Sequence, residues 1–316
     1  RLRHFSCNGV RHWACNATHV NGKLWLLAGY NKDKPGTWLR RVSGAGKLQF
    51  TLNIHPNNNE VWPSAVTVRM DASAVVAGGM RPAKAETFDP WMGAYALSGK
   101  VVWGVTVPSS YDTYLNAVVA RADGSLIAAG ASVVNSAASK SLLIAVSPAG
   151  KVLWQVTPKL PDLSVPVAIV AEPDGGATIA GTLTDKGIVQ LFIAQVSDTG
   201  AARWHHKHFM TKETPRNTVP AFAGLIRLEA GGYAVAGKAQ TIGSGPKAAY
   251  TPFIARLDAW GRSNCLESGI CAAKAASDCD DSDPCPSDAC DAIKGCIHLK
   301  LGGAACGDGK AAGGAG

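Results

Sequence analysis

Short apolar runs closed by a small pair recur along the chain: Leu24-Trp-Leu-Leu-Ala-Gly29, Ala74-Val-Val-Ala-Gly-Gly79, Leu126-Ile-Ala-Ala-Gly130, Ala177-Thr-Ile-Ala-Gly181 and Tyr233-Ala-Val-Ala-Gly237. They are too short for helices, and most follow turn pairs: Asn21-Gly22, Asp123-Gly124, Gly175-Gly176 and Gly231-Gly232. Such pairs tolerate positive φ and join antiparallel strands tightly. A second hairpin follows in each unit, with turn glycines at Gly46, Gly99, Gly150, Gly200 and Gly261. Four residues after the turn stands an aromatic: Phe50, Trp103, Trp154 and Trp204, with Cys265 in the last slot. Each unit therefore reads as four short strands in about 50 residues, the pattern of blades in an all-β propeller. A β-sandwich has many strands too, but it does not repeat one signature at a fixed period.

The register predicts five full repeats, from about residue 16 to 264, preceded by a half-repeat at Gly9-Val-Arg-His-Trp13. Six blades follow if the half-repeat is completed. A half-blade leaves a sheet edge open, and unpaired edges recruit other chains. Self-assembly into a homo-oligomer or polymer is the expectation drawn from that edge.

Charge and cysteine then divide the chain in two. Of nine Cys, Cys7 and Cys15 lie near the start, while Cys265, Cys271, Cys279, Cys285, Cys290, Cys296 and Cys306 crowd the end. The net charge is +8, of which residues 265–316 carry −4 and residues 1–264 carry +12. The expected domains are a basic propeller over 1–264 and an acidic, Cys-rich tail module over 265–316. No Cys-x-x-Cys pair suggests zinc, so all nine Cys are disulfide candidates. Disulfide density of this kind belongs to secreted or cell-surface proteins. No run approaches the ~18 apolar residues of a helical membrane span, so none is expected.

The body resembles secreted bacterial propeller-like repeats, through Ala255-Arg-Leu-Asp258 with Gly261, Gly150-Lys-Val-Leu-Trp154 and Asp174-Gly-Gly-Ala-Thr-Ile-Ala-Gly181. It is also similar to the pyrroloquinoline-quinone-type propeller repeat, through Gly99-Lys-Val-Val-Trp103 and Gly150-Lys-Val-Leu-Trp154. That resemblance implies that the tryptophans dock neighbouring blades. The quinone clamp of that family is not carried over, because no adjacent Cys-Cys pair exists here. The tail, Cys279-Asp-Asp-Ser-Asp-Pro-Cys285-Pro-Ser-Asp-Ala-Cys290-Asp-Ala-Ile-Lys-Gly-Cys296-Ile-His298, resembles the cysteine-rich repeat of slime-mould prestalk extracellular-matrix proteins, found also in myxobacterial-type secreted proteins. Where that repeat has Thr after its second Cys, this chain has Pro286. The tail resemblance implies a matrix or surface role.

Candidate chemistry is sparse. His206 and His208, at i and i+2 of a strand, share a face and can chelate a metal only with a third ligand from elsewhere. A polar outer strand explains the same residues. Asp280, Asp281 and Asp283 form a dense carboxylate loop without the Gly and distal Glu of an EF-hand; a solvated acidic loop is the simpler reading and a weak Ca2+ site the alternative. No other cofactor is expected. Trp38, Trp62 and Trp91 lie outside the repeated aromatic slot and are the binding candidates for a sugar-like ligand. No nucleophile elbow, P-loop, dinucleotide fingerprint or HExxH motif occurs, and the scattered Lys and Arg make no stripe for specific nucleic acid. An anionic polysaccharide or other extracellular polymer is the partner that the basic body suggests. The expected function is a secreted structural or adhesive protein that assembles without catalysis. The alternatives are a ligand- or carbohydrate-binding propeller and a quinoprotein-like or lyase-type propeller enzyme.

Overall fold

The computed structural model describes residues 12–20, 24–31, 37–43, 45, 47–54, 59–135, 138–161, 163–185, 188–208, 218–229, 231–241, 249–262, 286–291 and 295–300. Every element among them is a β-strand. Sheet one comprises β1 (His12–Val20), β2 (Leu24–Asn31), β3 (Thr37–Ser43) and β4 (Leu48–Ile54). Sheet two holds β5 (Glu60–Val68), β6 (Ala74–Arg81), β7 (Asp89–Tyr95) and β8 (Val101–Thr106). In sheet three stand β9 (Asp112–Ala120), β10 (Leu126–Asn135), β11 (Ala138–Val146) and β12 (Val152–Val156). Sheet four is built from β13 (Ser164–Ala171), β14 (Ala177–Asp185), β15 (Ile188–Val196) and β16 (Ala202–His208). Sheet five has three strands among the described residues, β17 (Thr218–Arg227), β18 (Tyr233–Thr241) and β19 (Ala249–Leu257). A separate hairpin joins β20 (Pro286–Asp291) to β21 (Gly295–Lys300).

Each sheet is an antiparallel meander in chain order, and its first strand packs against the first strand of the preceding sheet. This is the propeller-like arrangement that the repeats predict. Among the described residues stand four sheets of four strands and a fifth of three, where the repeats predict six blades. The N-terminal half-repeat is corrected. His12 and Trp13 belong to β1, the first strand of a complete sheet, because the chain continues from them straight into the ladder with β2.

Two recurring contacts explain the repeated glycines. The inner strands β5, β9, β13 and β17 each carry a bulge, opposite Gly78, Gly130, Gly181 and Gly237 respectively. A Cβ on Gly78, Gly130 or Gly181 would lie 2.0, 1.8 or 2.1 Å from the carbonyl oxygen of Trp62, Tyr114 or Val165. Gly78, Gly130 and Gly181 are thus demanded by the bulged neighbour. The second contact links sheets. Trp103 Nε1 donates to Pro148 O (3.0 Å), Trp154 Nε1 donates to Asp198 O (3.0 Å), and the ring of Trp204 lies over Gly261. Each tryptophan of the repeated slot therefore sits on the turn of the following sheet.

One apolar layer fills each inter-sheet gap. Leu39, Ile54, Val76, Trp91 and Tyr95 lie between sheets one and two, and Ala77, Met92, Leu115 and Ile144 between two and three. Leu143, Ile179 and Phe192 pack between three and four, and Ile193, Leu225, Tyr233 and Val235 between four and five. The small Ala residues in these runs let sheets approach closely while Leu, Ile and Phe fill the layer.

Candidate functional site

Sheets two and three form a cluster at the end where their inner strands begin. β5 opens with Glu60 and Trp62, two residues apart and so on one face of the strand. Glu60 pairs across the ladder with Arg81 and Trp62 with Gly79. Trp62 Nε1 donates to Glu60 Oε1 (2.7 Å), and the other oxygen of that carboxylate holds the Arg81 guanidinium. Gly79 leaves room for an aromatic ring from the neighbouring sheet. A Cβ there would fall 2.7 Å from the Tyr114 ring.

Three rings meet over that gap. Trp62 and Phe88 have centroids 4.7 Å apart, Phe88 and Tyr114 5.2 Å, and Trp62 stacks on Tyr114 at 6.2 Å. Arg81 lies over the Phe88 ring at 5.0 Å, a cation–π contact. The loop that carries Phe88 is clamped to β9: Phe88 N donates to Asp112 Oδ1 (2.9 Å), and Thr113 N donates to Phe88 O (2.8 Å). Asn59 braces the same loop by accepting from Ala83 N at 3.2 Å. Phe88 is buried, yet Trp62 keeps 39% of its surface exposed. Burial, and then the Asp112 carboxylate, push the Tyr114 hydroxyl up to about 12, so it keeps its proton at neutral pH. The result is a fixed, half-open indole beside a carboxylate, a guanidinium and a phenol.

The other sequence candidates lie elsewhere. Trp91 is 2% exposed and belongs to the layer between sheets one and two. Trp38 is also buried, with Arg40 4.3 Å above its ring. His206 and His208 lie on β16, where His206 packs near Trp204 (5.6 Å) and the buried His208 places Nε2 2.9 Å from Gly261 O. Both imidazoles meet the turn of sheet five, and among the described residues no group of three or more His, Cys, Asp or Glu stands together. Asp280, Asp281 and Asp283 lie outside the described residues, as do Cys7, Cys265, Cys271, Cys279, Cys285 and Cys306. Cys15 lies in β1, and Cys290 and Cys296 are register partners in the β20–β21 ladder. Sequence reasoning missed Glu60, Arg81, Phe88, Asp112 and Tyr114. The one available signal was that Glu60-x-Trp62 puts an acid and an indole on one strand face.

No family model matches the chain, and no curated protein matches it. Among solved structures, the chain resembles an ulvan lyase of polysaccharide lyase family PL25 bound to -[GlcA(1-4)Rha3S]-, with a TM-score of 0.54, 8% identity, and coverage of 77% of this chain and 64% of the lyase. It also resembles the subtype N11 neuraminidase-like protein of A/flat-faced bat/Peru/033/2010 (H18N11), with a TM-score of 0.50, 8% identity, and coverage of 79% and 73%. A Penicillium chrysogenum α-L-arabinanase complexed with arabinobiose matches at a TM-score of 0.49 and 12% identity, over 78% of this chain and 93% of the enzyme. Identities this low concern the fold alone.

These findings correct the expected function. A non-catalytic, self-assembling structural protein rested on an open half-blade, and the N-terminal strand instead completes sheet one. The solved structures that share this fold include a polysaccharide lyase bound to -[GlcA(1-4)Rha3S]- and not an assembling matrix protein.

Proposed function

We infer that the chain is a carbohydrate-binding propeller and that a sugar ring stacks on Trp62. The observation that carries this reading is the half-exposed indole, held by Glu60 through Nε1 and backed by Phe88 and Tyr114. The face of an aromatic ring is electron-rich, and the C–H edges of a pyranose or furanose carry the complementary partial charge. Glu60 accepts from sugar hydroxyls, and the Tyr114 phenol and Arg81 donate to them. Arg81 is already neutralised by Glu60, and Asp112 stands close by. That balance suits a hydroxyl-rich neutral glycan better than a polyanion, despite the basic body. The ulvan lyase supports the reading only as a precedent for a carbohydrate protein on this fold.

Cleavage of the bound glycan is the second reading, favoured by the protonated Tyr114 beside the Asp112 carboxylate. The density of cysteine in the tail supports an extracellular setting for either. Intrinsic tryptophan fluorescence titrated with a neutral and an acidic glycan series tests the proposal. Saturable quenching that Trp62→Ala abolishes supports it, and its absence with every glycan overturns it. Reducing ends that accumulate with wild type but not Tyr114→Phe would favour cleavage over binding alone.

A further inference from the structure

We propose that Tyr111 is a second aromatic platform, so that the site takes an oligosaccharide chain and not a single sugar; this rests on the carbohydrate reading of Trp62. Tyr111 precedes Asp112, the first residue of β9, and stands three residues from Tyr114, which stacks on Trp62. Three residues of fully extended chain reach at most ~10 Å, a length that an oligosaccharide covers and a monosaccharide does not.

The Tyr111 side chain is 46% exposed, among the more open aromatics of the described residues. Exposed rings are ordinary on mobile loops, but the backbone here is fixed on both sides. Tyr111 N donates to Ser109 Oγ (3.2 Å), and Thr113 Oγ1 donates to Tyr111 O (3.0 Å). Ser109 is itself anchored, its N–H donating to Asp89 Oδ1 at 2.7 Å and its hydroxyl bonded to that of Thr113 at 2.7 Å. Thr113 is buried and its hydroxyl reaches Ser132 Oγ at 3.0 Å. This network thus holds the Tyr111 backbone in place just before β9, at the end where β5 also begins with Glu60 and Trp62, and leaves the ring half exposed. Preorganised aromatic platforms of this kind bind at low entropic cost.

The test compares xylose with xylotetraose, and galactose with a β-1,3-linked galactotetraose, by fluorescence titration or calorimetry. Wild type is expected to bind at least one tetramer about five- to tenfold more tightly than its monomer, and Tyr111→Ala to erase that difference while leaving monomer affinity unchanged. Tyr111→Phe, which keeps the ring, should retain the preference, and this separates platform from hydroxyl. Binding that depends on Trp62 but shows the same chain-length preference in Tyr111→Ala overturns the second platform and leaves the first. Absence of any Trp62-dependent binding overturns both.

Discussion

The indole of Trp103 rests on Gly150, the turn glycine of the next sheet. A Cβ on Gly150 would lie 2.7 Å from the ring, whose Nε1 donates to Pro148 O two residues before the glycine. The same relationship joins Trp154 to Gly200 and Trp204 to Gly261. Gly150 is thus constrained twice, by its φ of +85° and by its neighbour's ring. Gly124, with a φ of +79°, meets only Pro148 at 3.6 Å. Gly150→Ala is expected to cost about 2–4 kcal/mol and Gly124→Ala about 1–2 kcal/mol, measured by urea unfolding. Equal costs would mean that the ring yields.

The bulges make a sharper demand on Gly130. Its Cβ would lie 1.8 Å from a carbonyl oxygen, and backbone cannot move aside as a side chain can. Gly130→Ala should cost about 3 kcal/mol or more. Gly224 has nothing within 4 Å, so Gly224→Ala should stay within about 0.5 kcal/mol of wild type. Denaturation midpoints of the two variants check the contrast.

Trp62 and Trp91 should separate function from stability. Trp91→Ala removes a buried indole from a packed layer and should cost about 3–5 kcal/mol. Trp62→Ala should cost about 1 kcal/mol and abolish glycan binding. Thermal unfolding and fluorescence titration of both variants decide the matter.

Acid should loosen the contact between sheets four and five. Burial, then the nearby Arg262 guanidinium, lower the His206 imidazole below its usual 6.5. A base whose folded pKa is depressed binds fewer protons folded than unfolded, so stability falls as pH drops below about 6.5 and levels off below the folded value. His206→Gln should flatten that part of the stability–pH curve, read by urea unfolding between pH 5 and pH 8 (about the range where histidine titrates). An unchanged slope would exclude His206 as its source.

In the tail hairpin, Cys290 and Cys296 are direct partners across an antiparallel ladder. Opposed residues have Cα atoms about 4.5–5.5 Å apart, within the span of a disulfide. Non-reducing peptide mapping of protein made in an oxidising compartment is expected to find the Cys290–Cys296 bridge. Both thiols alkylated without prior reduction would refute it.

Most of the scaffold was legible in the chain because its causes are local. Glycine at positive φ and the alternation of strands act over a few residues and repeat at each unit, so the hairpins could be counted from the signature alone. The docking role of the repeated tryptophans followed from a resemblance and agrees with their seats on the following turns. The N-terminal register was misjudged because Gly9-x-x-x-Trp13 matches the outer-hairpin motif in spacing, while the pairing of Cys15 with Gly29 puts its strand at the inner position.

The candidate site was only partly legible. Trp62 stood out for falling outside the repeated slot, but so did Trp38 and Trp91, which packing buries. Tyr114 reaches Trp62 over Gly79 only after sheet three docks on sheet two, and Phe88 joins them because its loop is clamped to β9. The sequence by itself determined the strands, turns and period, since these follow from φ preferences and side-chain alternation along one chain. Which tryptophan stays open to a ligand, and which charges stand beside it, only the tertiary structure decided, because exposure depends on the packing of residues that are far apart in the chain.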